Sequence, residues 1–114
     1  MSPLSAILII CDRDTLFREA LRNFLLAAGY PDVEIAATTR DALTKLRREC
    51  YGHIFIGVSQ PVSRGRRLAA IAQRRQPAAK ILLLVSGDDQ PSVKDTSFEY
   101  VIKEYVFSNL LGLI

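Results

Sequence analysis

AILIICDRDTLFREALRNFLLAAG, residues 6–29, holds two different periodicities back to back. Ala6 to Cys11 is apolar throughout, where a half-buried strand would alternate, so it reads as a strand covered on both faces. From Leu16 the apolar residues recur at helical spacing. Leu16, Phe17, Ala20, Leu21, Phe24 and Leu25 form the stripe such a helix is expected to bury. Asp14 or Thr15 can cap the exposed backbone N–H groups at its start, and Gly29 is well placed to end it. A doubly covered strand running into an amphipathic helix is the opening of a βα unit.

Working outward, the same alternation continues. His53 to Val58 and Lys80 to Ser86 are apolar runs of the same kind, while Asp32 to Ala37 and Tyr100 to Ile102 supply two further strands. A second helix is expected from about Thr39 to Cys50, with Ala42, Leu43 and Leu46 facing inward. Pro61 and Gly65 mark a loop, after which Leu68, Ile71 and Ala72 give a third helix its apolar face. Gln76-Pro77 stops that helix, since proline has no N–H to continue it. Glu104 to Ile114 closes the chain with Phe107, Leu110, Leu111 and Ile114 on one helical face. Between strands four and five, Gly87 to Ser92 reads as loop and leaves room for only a reduced fourth helix. The expected fold is α/β, a doubly wound five-stranded parallel sheet of order 2-1-3-4-5, formed by one domain spanning residues 1–114.

Composition sets the outer limits. With 49% hydrophobic and 24% charged residues among 114, the chain is globular and not disordered. Its longest apolar runs, such as Ala6 to Cys11 and Ile81 to Val85, fall far short of the ~18 residues that a membrane span needs. Met1-Ser2-Pro3-Leu4 has no basic start of the secretory kind, so a cytoplasmic location is expected. Cys11 and Cys50 should lie at opposite ends of the sheet, as free thiols. A formal charge of +3 is mildly basic, and Arg64, Arg66, Arg67, Arg74 and Arg75 cluster on the third helix. A solvated arginine face is the plainer reading of that cluster, and contact with nucleic acid is the alternative. His53, the single histidine, has no partner in a metal-ligating spacing and reads as structural. No cofactor and no metal is expected.

The topology itself points to a site. In this strand order ligands bind beyond the carboxyl ends of strands one and three, where the order reverses. Cys11, Asp12, Arg13, Asp14, Gly57, Val58 and Ser59 belong there, joined by Val85, Ser86 and Lys103 from strands four and five.

Those same residues carry a resemblance. ILIICDRDTLFREAL, Ile7 to Leu21, resembles the opening of bacterial two-component response-regulator receiver domains, and the likeness runs over almost the whole chain. Thr39 to Leu43 is similar to the start of their second helix. HIFIGVSQPVSRGRRL, His53 to Leu68, is similar to their third strand and loop, and Tyr100-Val101-Ile102-Lys103 to their last strand with its terminal lysine. In that family two acidic residues after strand one hold Mg²⁺, an aspartate ending strand three accepts phosphate, a Ser or Thr ends strand four and a lysine ends strand five. Here Gly57 stands at the phosphoacceptor position, and Val85 at the hydroxyl position with Ser86 one place on. Cys11-Asp12 replaces the acidic pair, although a shift of one residue lets Asp14 serve as the second carboxylate. Asp12 and Lys103 look retained, and they can form an ion pair across the pocket.

The resemblance therefore implies a degenerate receiver with no catalytic residue. Phosphoryl transfer to protein needs a nucleophile, and Mg²⁺ needs hard oxygen ligands. Three functions stand side by side. The first is a phosphorylation-independent regulatory domain, not an enzyme, that regulates transcription by dimerising or docking a partner signalling protein. In this reading a DNA-binding output domain lies C-terminal to Ile114, and the homodimer uses the segment after strand four and the last helix. The second is a phosphoacceptor that works through Asp14 or another carboxylate. The third, and weaker, is direct nucleic-acid binding by the third helix.

Overall fold

The computed structural model describes residues 6–10, 15–58, 62–85 and 98–113. Five strands form one sheet in the order β2-β1-β3-β4-β5, with every neighbouring pair parallel. They are β1 (Ile7–Ile10), β2 (Val33–Ala36), β3 (His53–Gly57), β4 (Lys80–Val85) and β5 (Glu99–Ile102). The described residues also form four α-helices: α1 (Thr15–Ala27), α2 (Thr39–Arg48), α3 (Val62–Arg75) and α4 (Val106–Leu113). A 3-10 turn at Lys103–Tyr105 leads into α4.

Helices on both faces explain the unbroken apolar strands. Leu8, Ile10, Ile54, Ile56, Leu83 and Val85 pack with Ala42 and Leu46 of α2 and Leu68, Ala69 and Ala72 of α3. The alternate residues Ile7, Ile9, Phe55, Leu82, Leu84 and Val101 meet Leu21 and Leu25 of α1 and Val106 of α4 on the other face. Neighbouring residues in β1 are thus buried in opposite directions, and Ile7, Leu8 and Ile9 are wholly inaccessible.

Two features of the helices depart from the sequence reading. Leu16 is 85% exposed and Ala20 is also exposed, because the buried stripe of α1 is the narrower set Phe17, Leu21, Phe24 and Leu25. At 100° per residue, Leu16 lies well off the centre of that set. Gly65 sits inside α3, which begins at Val62, and not in a loop. Its lack of a side chain lets the helix approach β3 closely: a Cβ there would lie 3.0 Å from Cγ2 of the buried Val58.

Helix ends are set locally. Thr38 caps α2 by accepting the Asp41 N–H at 3.0 Å through its hydroxyl. Gly29, with φ of 102°, closes α1: its N–H donates to the Leu26 carbonyl and that of Tyr30 to the Leu25 carbonyl. This pairing closes the last turn on the Leu25 and Leu26 carbonyls and needs a left-handed residue. At the opposite edge of the sheet from the predicted site, Gln76 is buried and fully used. Its amide donates to the Glu49 carbonyl at 2.7 Å and the Leu46 carbonyl at 3.1 Å, and its oxygen accepts the Tyr51 N–H at 2.8 Å. One side chain thereby ties the ends of α2 and α3 to the entry of β3.

The expected reduced fourth helix falls in residues 86–97, which lie outside the described residues. Cys50 is a free, exposed thiol, and Cys11 lies outside the described residues. No described helix is long and apolar enough to cross a membrane.

Candidate functional site

Because all strands run parallel, their carboxyl ends share one edge, and the strand order reverses there between β1 and β3. The register sets three predicted residues along this edge. Gly57 ends β3 opposite Leu84, Val85 ends β4 opposite Ile102, and Lys103 follows the last residue of β5. The ladder continues one step beyond Gly57, where the Val58 N–H donates to the Leu84 carbonyl at 2.8 Å. Asp12, Asp14 and Ser86, together with Cys11, Arg13 and Ser59, lie outside the described residues. So does the acidic end of the expected Asp12–Lys103 ion pair.

Each described residue has a defined environment. Val85 is completely buried and contributes to the core under α2 and α3. Lys103 is half-buried, and its ammonium stands 5.4 Å from the centre of the Phe17 ring on α1. A cation over an aromatic face gains about 0.5–1 kcal/mol at a partly exposed site. Phe17 in turn meets Phe107 of α4 with ring centres 6.1 Å apart, so the lysine closes a small stack joining α1, α4 and the end of β5.

At the switch point lies a cavity of about 30 Å³, lined by Ile10, Ile56, Gly57, Thr39, Arg64, Gly65 and Leu68. That is room for a water molecule or two. Thr39 and Arg64 were not singled out for the site from sequence. Thr39 reaches it as the first residue of α2, and Arg64 because Gly65 draws the first turn of α3 against Val58.

The donor set bears on any metal. Mg²⁺ prefers carboxylate and water oxygens in near-octahedral geometry. The described residues at this edge offer a glycine, a buried valine, a lysine and an arginine, and no carboxylate. The two candidate carboxylates, Asp12 and Asp14, lie outside the described residues.

Titration is perturbed at the opposite edge. Burial, reinforced by Glu34, pushes the Tyr51 phenol far above its ordinary range, so it stays protonated and donates to Glu34 at 3.1 Å. Glu34 also pairs with Lys45 at 3.3 Å. Burial, then the nearby Lys80 ammonium, holds His53 below its ordinary 6.5. Both groups serve the packing of the sheet's amino-terminal edge.

No protein-family model and no curated protein sequence matches the chain. Solved structures do. A CheY-like response regulator receiver domain protein from Methanospirillum hungatei is 26% identical with a TM-score of 0.78, over 95% of this chain and 88% of that one. The response regulator TrrA from Thermotoga maritima, solved in complex with Mg²⁺-BeF, is 25% identical with a TM-score of 0.78, over 95% and 94% of the two chains. A response regulator from Burkholderia pseudomallei, solved with a phosphorylated aspartic acid, is 27% identical with a TM-score of 0.76, over 94% of this chain and 64% of that one. In sheet order and over nearly its whole length the chain is similar to CheY-like response-regulator receiver domains.

Proposed function

We propose that this chain is a receiver-like signalling domain that operates without phosphoryl transfer, as a cytoplasmic binding module and not as an enzyme. The observation that carries this reading is Gly57 at the carboxyl end of β3, where the receiver pattern calls for an aspartate. Glycine has no nucleophile, and the neighbouring Val85 and Lys103 bring neither a hydroxyl nor a carboxylate. The output under this proposal is assembly. The chain regulates transcription by forming a homodimer or docking a signalling partner, through its last helix and the segment before β5. Tyr105 and Phe107, 59% and 41% exposed, supply the apolar surface for it.

The test is incubation of the 114-residue chain with Mg²⁺ and acetyl phosphate, followed by intact mass measurement. The expected result is no covalent phosphate. Stoichiometric labelling that maps to Asp14 would overturn the proposal and identify a non-standard phosphoacceptor.

A further inference from the structure

The basic charge of this chain is concentrated on two helices that share one face of its sheet. α2 and α3, on one face, carry nine of the 15 Lys and Arg residues and one of the 12 Asp and Glu residues. Nine against one is +8 for the two helices, so with the whole chain at +3 the remainder stands at −5. Between α2 and α3 runs an open groove of about 490 Å³, lined by Leu43 and Arg47 from α2 and Ile71, Arg74 and Arg75 from α3. Leu43 and Ile71 are only partly buried and form an apolar floor, while the three exposed arginines form the rim. Among the described residues no carboxylate pairs with Arg47, Arg74 or Arg75.

We infer that this groove docks an acidic, amphipathic protein segment, with apolar side chains on Leu43 and Ile71 and carboxylates on Arg47, Arg74 and Arg75. Guanidinium groups bind carboxylates through paired N–H donors and lose less on desolvation than ammonium groups do. The net positive charge of the two helices would also steer an acidic partner toward the groove from a distance. Arginines in the last turn of a helix do offset its dipole, by about 0.3–1 kcal/mol each. That role explains neither their convergence from two helices on one groove nor the apolar floor between them. Single-stranded nucleic acid fits less well, because neither helix contains an aromatic residue for base stacking. The inference rests on reading the chain as a docking module, but not on the missing phosphoacceptor.

The experiment is a ¹H–¹⁵N NMR titration of the whole chain with a synthetic peptide that has leucines at helical spacing and glutamates on both flanks. A second peptide replaces each leucine by serine at unchanged charge, and a short DNA duplex is the third probe. The expected result is that the leucine peptide shifts the amides of Leu43, Arg47, Ile71, Arg74 and Arg75, and that the serine peptide binds roughly tenfold more weakly. The double variant Arg47→Glu/Arg74→Glu, at two exposed positions, should weaken binding roughly tenfold or more while leaving the circular dichroism spectrum unchanged. Equal binding of the two peptides, shifts located elsewhere, no binding, or displacement of the leucine peptide by the duplex would each overturn the inference. A chain that takes covalent phosphate yet still binds the peptide leaves it standing, whereas one that takes none and ignores the peptide sinks it alone.

Discussion

Gly57→Asp returns a carboxylate to the end of β3, yet it should not restore a working phosphorylation switch. A nucleophile also needs the developing charge on its donor neutralised, and the neighbouring Val85 has no hydroxyl and no exposure. The Lys103 ammonium is already engaged over Phe17. Treated with Mg²⁺ and acetyl phosphate, Gly57→Asp should show neither stoichiometric phosphate by mass nor a change in sedimentation. Both together would refute the prediction. A second residue governs pH dependence. His53 is held below 6.5 by burial and Lys80, and its buried Nδ1 has no hydrogen-bond partner among the described residues. The folded chain then binds fewer protons than the unfolded one, so His53's contribution is full above about 6.5 and drains away as pH falls through it. The urea midpoint should drop between about pH 7 and pH 5.5. In His53→Gln the drop should be smaller, and an identical drop would show that other groups are responsible.

Single elements are held by contacts that composition does not announce. Gln76 satisfies two carbonyls and one N–H at the junction of α2, α3 and β3. Gln76→Leu strands all three and should cost about 3 kcal/mol in denaturant unfolding, since each orphaned buried group costs about 1–3 kcal/mol. An effect below about 1 kcal/mol would mean that water replaces the amide. Gly29→Ala forces an alanine to φ of 102° and should lower the thermal midpoint by about 4 °C, a loss near 1 kcal/mol. The two residues also mark what the sequence can and cannot convey. Strand positions and the 2-1-3-4-5 order were readable because apolar runs and caps are local signals, and Gly29 was placed correctly as the end of α1. Gln76 was read only as a helix stop, because its three partners lie 25 to 30 positions away. Gly65 was placed in a loop for a similar reason: its close contact with Val58 exists only once α3 docks on the sheet. At the site, Gly57, Val85 and Lys103 could be placed from strand ends, but not the turn of Lys103 toward Phe17.

At the scale of the whole molecule, the proposed assembly and the charge division make separate demands. If the last helix and the turn leading into it form the dimer, Tyr105→Glu should convert dimer to monomer in sedimentation at unchanged thermal stability, because Tyr105 is 59% exposed and buries little in the folded monomer. A wild-type chain that stays monomeric at high concentration would refute the dimer outright. The basic groove lies across the sheet from α1 and α4, so an acidic ligand there should leave the dimer intact. The Gln76 junction has a further consequence for time. The Tyr51 N–H donates to that side chain, in a residue only 1% exposed, at the point where α2, α3 and β3 meet. Its exchange with deuterium should therefore be as slow as global unfolding allows, making one backbone proton a clock for the opening of the entire fold.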